Sequence, residues 1–357
     1  MTLENIFLWA SCDFGCEPNQ LSCVKTKNKF KSQDVEIALG GVVQPELSFR
    51  RQAQEIDPHF NLVDTKIYFQ AQYLQDHWSI GYRMRLDPSV NEIKVGQNYI
   101  EFFHKSLGTF HLGCRKGVHD NLAKLAQRNM PTIRIYGGLD EHIERPLDAY
   151  AGNDLEGHSS NAFKFNWLSP YYLGFRFAFT YAPQTKKDNA SFNEHHFTVA
   201  FSYKKQFGDF AFQAAGALLG DFQADREKAF KEQKHRALSY MISASLGWKS
   251  LKGAFEFLNN GISRTSLFSK VDTAGKALNI SVSYAINDSH TIGIGGQYTW
   301  RYKDKRYDKW LATIGYAYKV FECMTWYAEG SFLSYHSSEA KPINQGFVLR
   351  TGLRIEI

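Results

Sequence analysis

Alternation of apolar and polar residues recurs along almost the whole chain, and it constrains the fold more than any other feature. In residues 35–50, for example, the apolar Val35 and Ile37 flank the charged Glu36. Successive side chains of a β-strand point to opposite faces, so this stretch predicts a strand with one apolar face and one polar face. Pro45 interrupts the pattern and predicts a bend or bulge there.

The same pattern occurs in about sixteen segments altogether, which predicts an all-β chain. An even number of antiparallel strands is what single-chain bacterial membrane barrels require. The segments after the first are 65–73, 78–86, 99–103, 109–115, 162–167, 173–181, 196–204, 210–218, 238–249, 253–259, 278–286, 292–301, 310–319, 325–333 and 347–357.

No apolar run is long enough to cross a membrane as a helix. The longest runs, such as 214–219, fall short of the roughly 18–20 residues that a spanning helix needs. The mean hydropathy is negative, which is also typical of membrane barrels because their strands mix apolar and polar residues. Two classes of all-β fold therefore stay open, a soluble β-sandwich and a transmembrane β-barrel.

The connections between predicted strands alternate between short and long, which favours the barrel. Outer-membrane barrels have short turns on the inner side of the membrane and long loops outside, whereas a sandwich has no such requirement. The short connections are 74–77, 104–108, 168–170, 205–208, 250–251, 287–289 and 322–323. The long connections include 52–62, 116–160, 184–193, 221–236, 262–275 and 337–345.

Aromatic residues make up 15% of the chain and flank most of the short connections. Amphipathic rings gathered at one end of the hairpins predict a girdle at one membrane interface. These residues are Tyr73, Trp78, Phe103, Phe110, Trp167, Tyr171, Tyr172, Phe207, Phe210, Trp248, Phe321 and Trp326. The pattern predicts a transmembrane antiparallel β-barrel of about sixteen strands in an outer membrane.

Two stretches resemble Gram-negative general porins. The segment 98–117, NYIEFFHKSLGTFHLGCRKG, resembles porin strands four and five, which end in a Gly-Arg motif before the third external loop. The segment 161–175, NAFKFNWLSPYYLGF, is similar to the strands that follow that loop in proteobacterial trimeric porins. The resemblance covers 35–357. It implies passive diffusion of small hydrophilic solutes and ions, a homotrimer, and a long loop, 116–160, folded into the lumen as a constriction.

The resemblance and the strand pattern together predict a charged constriction. Arginines and one lysine fall on the polar faces of the strands, and Arg115 matches the last residue of the porin motif. Acidic residues lie on the loop, so the two sets would set a transverse field across the pore. The alternative is that the cations pair with Glu36 or Glu46. The predicted pore-lining residues are Arg50, Lys66, Arg83, Arg85, Arg115, Asp120, Asp140, Glu141 and Arg176.

The first 34 residues have no clear period and are predicted to be a poorly ordered leader outside the barrel. They show no signal-peptide pattern, because Glu4 lies in the region that would carry positive charge and the apolar core 6–10 is short. Three of the five cysteines, Cys12, Cys16 and Cys23, cluster here. Their spacing matches no zinc motif, so a disulfide among them or unreactive thiols is expected.

The sequence favours no catalytic site, metal or cofactor. His195 and His196 lack the H-E-x-x-H order of metalloproteases, and no residue pattern indicates a catalytic triad. The net charge of +6 is spread along the chain, so a nucleic-acid partner is not expected. The alternatives are a solute-specific channel, an adhesin-like barrel and an outer-membrane esterase or phospholipase. The expected surroundings are outer-membrane lipid.

Overall fold

The computed structural model describes residues 29–32, 34–52, 55–62, 65–88, 93–123, 125–131, 162–184, 193–223, 237–259, 275–301, 308–336 and 344–356. No helix in these ranges is long and apolar enough to cross a membrane. The two helices within the described ranges are short, α1 (Val118–Leu122) and α2 (Leu125–Arg128).

All strands pair antiparallel with their neighbours in one sheet. The strands are β1 (Lys29–Ser32), β2 (Val35–Val43), β3 (Pro45–Gln52), β4 (Glu55–Leu62), β5 (Lys66–Leu74), β6 (Trp78–Pro88), β7 (Ile93–His104), β8 (Gly108–Cys114), β9 (Phe163–Leu168), β10 (Phe175–Gln184), β11 (Asn193–Phe207), β12 (Phe210–Gln223), β13 (Ala237–Trp248), β14 (Leu251–Asn259), β15 (Gly275–Ala285), β16 (His290–Arg301), β17 (Asp308–Phe321), β18 (Met324–His336) and β19 (Asn344–Glu356).

These strands form a closed barrel of sixteen. The segments β2 and β3 are two halves of one strand bent at Gln44, and they pair with β5 and β4 respectively, which together form the second strand. The fourteen strands from β6 to β19 complete the barrel, and β19 closes it by pairing with β3. The predicted transmembrane antiparallel barrel is confirmed, and closure leaves no unpaired sheet edge in the hydrocarbon.

The two faces of the wall differ as the alternation predicts. Phe177 and Ile294 point outward and expose 55% and 61% of their surface, while the adjacent Arg176 is buried on the inner side. The same division runs through β17, where Trp310 and Ile314 are exposed and Leu311 and Thr313 are buried. The hydrocarbon of the membrane contacts an apolar surface, so the exposed apolar residues form the membrane-facing surface of the barrel.

The short connections join consecutive strands at one end of the barrel, here called the short-turn end. They are 75–77, 105–107, 169–174, 208–209, 249–250, 286–289 and 322–323. The prediction of a long connection at 52–62 is wrong, because β3 and β4 continue their pairing to Gln52 and Glu55 and leave only 53–54 between them. Pro58 and charged residues favour a loop here in the sequence, but β4 keeps the alternation, with Phe60 and Leu62 exposed on its outer face.

Aromatic rings contact one another along both rims of the barrel. At the short-turn end, Trp78 lies 5.7 Å from Tyr73 and 6.3 Å from Phe102 between ring centroids, and Phe210 stacks on Trp248 at 6.1 Å. A second set lies at the opposite end, where the rings of Tyr240, Phe257, Trp300, Tyr298 and Trp310 form a series of contacts. The girdle at the short turns was predicted, and the second girdle marks the other membrane interface.

The seam where the barrel closes carries a hydrogen-bond network on its inner side. Tyr327 on β18 donates its hydroxyl hydrogen bond to Glu46 on β3 at 2.7 Å and accepts one from Gln44 at 2.9 Å. The tyrosine reaches across β19 above Gly352, where a Cβ would lie too close to both the tyrosine hydroxyl and the carbonyl of Pro45. Glycine is therefore required at this position, and three strands are joined by one side chain.

Residues 29–32, inside the predicted leader, form strand β1. Strand β1 pairs with β2, with Lys29 opposite Ala38 and Ser32 opposite Val35, and so extends the sheet at the short-turn end. Residues 1–28, with their three cysteines, lie outside the described residues. Cys323 forms a disulfide whose partner also lies outside them, while Cys114 is a free thiol.

Candidate functional site in the barrel lumen

Two of the predicted arginines lie side by side on the inner face of β6. Arg83 Nη2 is 3.2 Å from Glu101 Oε1 on β7. The other oxygen of Glu101 lies 3.1 Å from His111 Nε2 on β8. Arg85 pairs along its own strand with Asp87, at 2.7 Å. Each arginine therefore has a carboxylate partner, but neither partner is Glu36 or Glu46, which the sequence had offered as the alternative.

Arg115 follows the last residue of β8 and is buried. Its guanidinium carbon lies 4.6 Å from the centroid of the Tyr99 ring, a cation–π contact that fixes the side chain against the wall. The carbonyl of Arg115 accepts a hydrogen bond from Lys164 Nζ at 3.0 Å. The structure thus brings Arg115 and Lys164 together at the point where the chain leaves β8 and returns as β9.

The first residues of the long loop turn onto the inner wall. The backbone N–H of Val118 donates to Thr180 Oγ1, an inward side chain of β10, at 3.0 Å. Asp120 in α1 forms an ion pair with Lys116 at 3.4 Å. Asp140 and Glu141 lie outside the described residues, so their predicted place at the constriction stays a prediction.

The loop rests on an apolar area of the inner wall that the alternation did not predict. Val118, Leu122 and Ala123 from the loop belong to one buried cluster with inward residues of seven strands, β9 to β15. Burial of apolar surface holds α1 in place, and the small wall residues leave room for a helix. The wall residues of the cluster are Leu168, Ala178, Ala200, Ala215, Ala217, Leu219, Met241, Leu258 and Ala277.

Polar contacts hold the segment that follows α1. Ser281 Oγ donates to the carbonyl of Ala126 at 2.7 Å, and Ser283 Oγ donates to Asn129 Oδ1 at 3.0 Å. Asn129 Nδ2 in turn donates to the carbonyls of Ser281 and Lys252, at 3.3 and 3.1 Å. Asn129 therefore fixes the loop to both the backbone and the side chains of the wall.

The inserted segment ends against the wall on the far side of β15. Met130 packs in a buried cluster with Leu311, Leu333, Tyr335 and Val348, which lie on β17 to β19. Beside it, Pro131 occupies the space where a side chain at Gly293 would be. The described part of the loop thus runs along the inner wall from β9 to β19.

Exposure inside the barrel is uneven. Inward residues of β5 and β6, including Tyr68, Gln70 and Arg83, are half-buried. Inward residues of the wall beneath the inserted segment, such as Thr180 and Ser281, are buried to 0% and 1% exposure. Water in the lumen therefore meets the β5 and β6 wall, where the basic residues lie.

Comparison with known proteins agrees with this geometry. The sequence model of the Gram-negative porin family matches residues 36–337. The chain belongs to this family. It is an outer-membrane diffusion channel. No curated protein sequence matches the chain.

Three solved structures illustrate the likeness of fold. An anion-selective porin from Comamonas acidovorans is 12% identical with a TM-score of 0.63, over 91% of this chain and 100% of that one. OmpT, an outer membrane protein of Vibrio cholerae, is 13% identical with a TM-score of 0.61, over 93% and 100%. OmpF of Salmonella typhi, solved with daunomycin, is 11% identical with a TM-score of 0.66, over 92% and 100%.

The remaining predicted residues occupy several places in this porin. Lys66 and Arg50 are half-buried on the inner faces of β5 and β3. Arg176 lies beside the 169–174 turn, where its Nε donates to the carbonyl of Ser169 at 3.0 Å. Arg176 also interacts electrostatically with His111 of the group on β6 to β9, while Arg50 and Lys66 lie apart from that group.

Sequence reasoning missed three lumen residues next to the predicted arginines. Glu101, His111 and Lys164 are all buried on the inner face. Each could have been found from its place in the alternation, because each is flanked by outward residues such as Ile100 and Leu112. The predicted set took only cations from the strands, so it left out the carboxylate of Glu101 and the imidazole of His111 beside those arginines.

Proposed function

We propose that this porin lets small hydrophilic solutes and ions diffuse passively through a lumen that the loop 116–160 narrows to a constriction. The observation that supports this is the course of the described loop, 116–131, along the inner wall from β9 to β19. It leaves solvent against the β5 and β6 wall, which carries Arg83 and Arg85.

The constriction works through charge as well as width. Arg83, Arg85 and Arg115 form its basic side, and Asp120, with Asp140 and Glu141, forms the acidic side. In a narrow passage between protein walls these charges are poorly screened, so they orient dipolar solutes and disfavour apolar ones. Arg50, Lys66 and Arg176 add positive charge to the walls above and below.

A bilayer recording with purified protein tests this assignment. Replacing Arg83 and Arg85 by glutamine leaves Glu101 and Asp87 without their cations, so the reversal potential in a salt gradient should move toward cation preference. Replacing the loop acids by their amides should move it the other way. Lys105→Gln, an exposed turn residue outside the lumen, is the control. If both sets of variants form channels of unchanged selectivity, the loop does not line the pore.

The functional unit is a homotrimer with one pore in each subunit. One solved form of OmpT from Vibrio cholerae is a trimer, and family membership supports the same assembly here. Conductance should accordingly rise in groups of three equal steps when the protein inserts into a bilayer. Single, independent steps, together with a monomeric mass in detergent, would contradict the trimer.

The channel catalyses no reaction and has no tight solute specificity. A solute-specific channel would show saturable block of its conductance by the preferred solute, whereas a general porin conducts in proportion to solute concentration. An esterase or phospholipase barrel would hydrolyse lipid or ester substrates through a nucleophile whose replacement abolishes turnover. Titration of conductance with solutes of different chemistry, alongside a hydrolysis assay, separates the three.

A further inference from the structure

A cation–aromatic cluster lies at the short-turn mouth of the lumen, and its Arg176 also interacts electrostatically with His111 beside the constriction. The guanidinium carbon of Arg176 is 4.9 Å from the centroid of the Tyr171 ring, and Lys204 Nζ is 5.5 Å from the same centroid. Two positive groups therefore converge on one ring. The electron-rich faces of aromatic rings attract cations, which holds both groups in place.

The turn 169–174 is built so that this arrangement is fixed. Ser169 accepts the Arg176 Nε hydrogen bond with its carbonyl and the Phe177 N–H with its hydroxyl, at 3.0 and 2.9 Å. Gly174 has φ of +90° and accepts a hydrogen bond from the backbone N–H of Lys204 at 2.9 Å. The positive φ lets the chain bring Tyr171 beneath Lys204, and a non-glycine residue would be strained there.

Neighbouring lysines on β11 face opposite sides of the wall. Lys204 continues the inward series of Ser202 and contacts the ring beside Arg176. Lys205 continues the outward series of Tyr203 and lies 4.9 Å from the centroid of the Phe207 ring. Lys204 is exposed, and within the described ranges it forms no ion pair with a carboxylate.

At the short-turn end of the barrel, the part of the rim around Tyr171 and Lys204 has an excess of basic residues, and the rest of the rim does not. The segments 169–177, 203–213 and 246–254 contain Arg176, Lys204, Lys205, Lys249 and Lys252, and one acid, Asp209. The rest of the short-turn rim has more acids than bases. Its acids are Asp34, Glu36, Asp76, Asp288, Glu322 and Glu356, and its bases are Lys29, Lys31, Lys105, Lys319 and Arg354.

We propose that the short-turn mouth carries a binding site for small anions, carboxylates or phosphates, centred on the Lys204 ammonium above Tyr171. The proposed anion site rests on the proposed channel function, and it identifies small anions as a class of solute that the channel binds. Lys204 contacts the anion, and the buried Arg176 acts through its field. The ring gives carboxylates attached to an apolar or aromatic group a surface to pack on. Anions leaving or entering the lumen at this end therefore pause at Lys204.

The test uses the whole porin in a bilayer of zwitterionic lipid at about 10 mM salt, where charges are screened over about 30 Å. The probe is benzoate, whose concentration for half-block of the chloride current is measured. A unit anion about 6 Å from a unit cation in water gains an attraction equivalent to roughly threefold in affinity. Lys204→Gln should therefore weaken block about threefold, and Lys204→Glu about tenfold.

Lys205→Gln and Lys205→Glu are the matched controls, because they make the same charge changes one residue away on the lipid side. Lys205→Gln should leave the half-block concentration within about twofold of the unchanged protein, and Lys205→Glu should weaken block clearly less than Lys204→Glu does. Equal effects at both positions would overturn the site and leave only a general rim charge. No effect at either, in variants that conduct normally, would also overturn it, whereas failure of the unchanged protein to conduct would overturn the proposed function instead.

Discussion

Replacing Tyr327 by phenylalanine should weaken the seam that closes the barrel. The hydroxyl is buried and forms two hydrogen bonds, one to the carboxylate of Glu46 and one from the amide of Gln44. Both of these partners lie at or next to the bend between β2 and β3. Phenylalanine keeps the ring over Gly352 and removes only the oxygen, so the change reports the hydrogen bonds alone.

The expected loss of folding free energy follows from the two buried polar groups, Glu46 and Gln44, that lose their hydrogen-bond partner. A hydrogen bond to a charged group contributes about 1.5–3 kcal/mol, and a buried polar group left without its partner costs about 1–3 kcal/mol. Glu46 and Gln44 are both 3% exposed, so water reaches them poorly. Part of the loss will be recovered where the Gln44 amide reorients, and we expect a net destabilisation of about 2–4 kcal/mol.

Urea unfolding of the protein in lipid vesicles, followed by tryptophan fluorescence, measures this loss. Tyr284→Phe is the control, because Tyr284 points outward from β15 and is 48% exposed. Surface changes of this kind usually lie within about 0.5 kcal/mol of zero. If Tyr327→Phe shifts the free energy of unfolding no more than Tyr284→Phe, the seam is not held by this side chain.

Three further changes test the lipid face, the loop and the topology. Phe177→Arg should destabilise the folded barrel by roughly 2–4 kcal/mol because it places a charge in the lipid core, whereas Phe177→Leu should be tolerated in the same vesicle-folding assay. Gly293→Ala should change single-channel conductance because the new Cβ collides with the inserted loop, while Gly253→Ala, where a Cβ meets nothing within 4 Å, should not. A cysteine at Ala229 should react with an impermeant reagent on intact cells and one at Asp288 should not; the reverse result would invert the topology.

Much of the fold could be predicted from sequence because membrane barrels obey a strict period. Val35, Ile37 and Glu36 fall on the predicted faces, since a shift of one residue would move every charged side chain into lipid. Strand ends were harder to predict where the period fades. In the hairpin 45–62, Phe60 and Leu62 keep the outward alternation of β4, but Pro58 and the charged residues near the tip obscure it in the sequence.

The candidate site was less predictable, because it depends on contacts between distant parts of the chain. The position of Arg83 on the inner face follows from parity, but its partner Glu101 depends on the register between β6 and β7. That register includes a bulge between Arg85 and Leu86, which no local pattern indicates. Likewise, inward alanines such as Ala200 interrupt the alternation only slightly. Their role in packing against the loop follows only from the three-dimensional structure.

The apolar area beneath α1 has a consequence for how this protein matures. The barrel can close and enter the membrane by pairing its strands, while the loop reaches its place only when a finished wall exists to receive it. Docking of the loop is then a separate, late step that removes apolar surface from the water inside the pore. An intermediate whose loop has not docked would have a wider opening and an apolar area exposed inside the lumen. Apolar dyes would bind to this area and would dissociate when the loop docks. Shortening the loop would accordingly widen the channel and also leave an apolar area of its wall exposed to solutes.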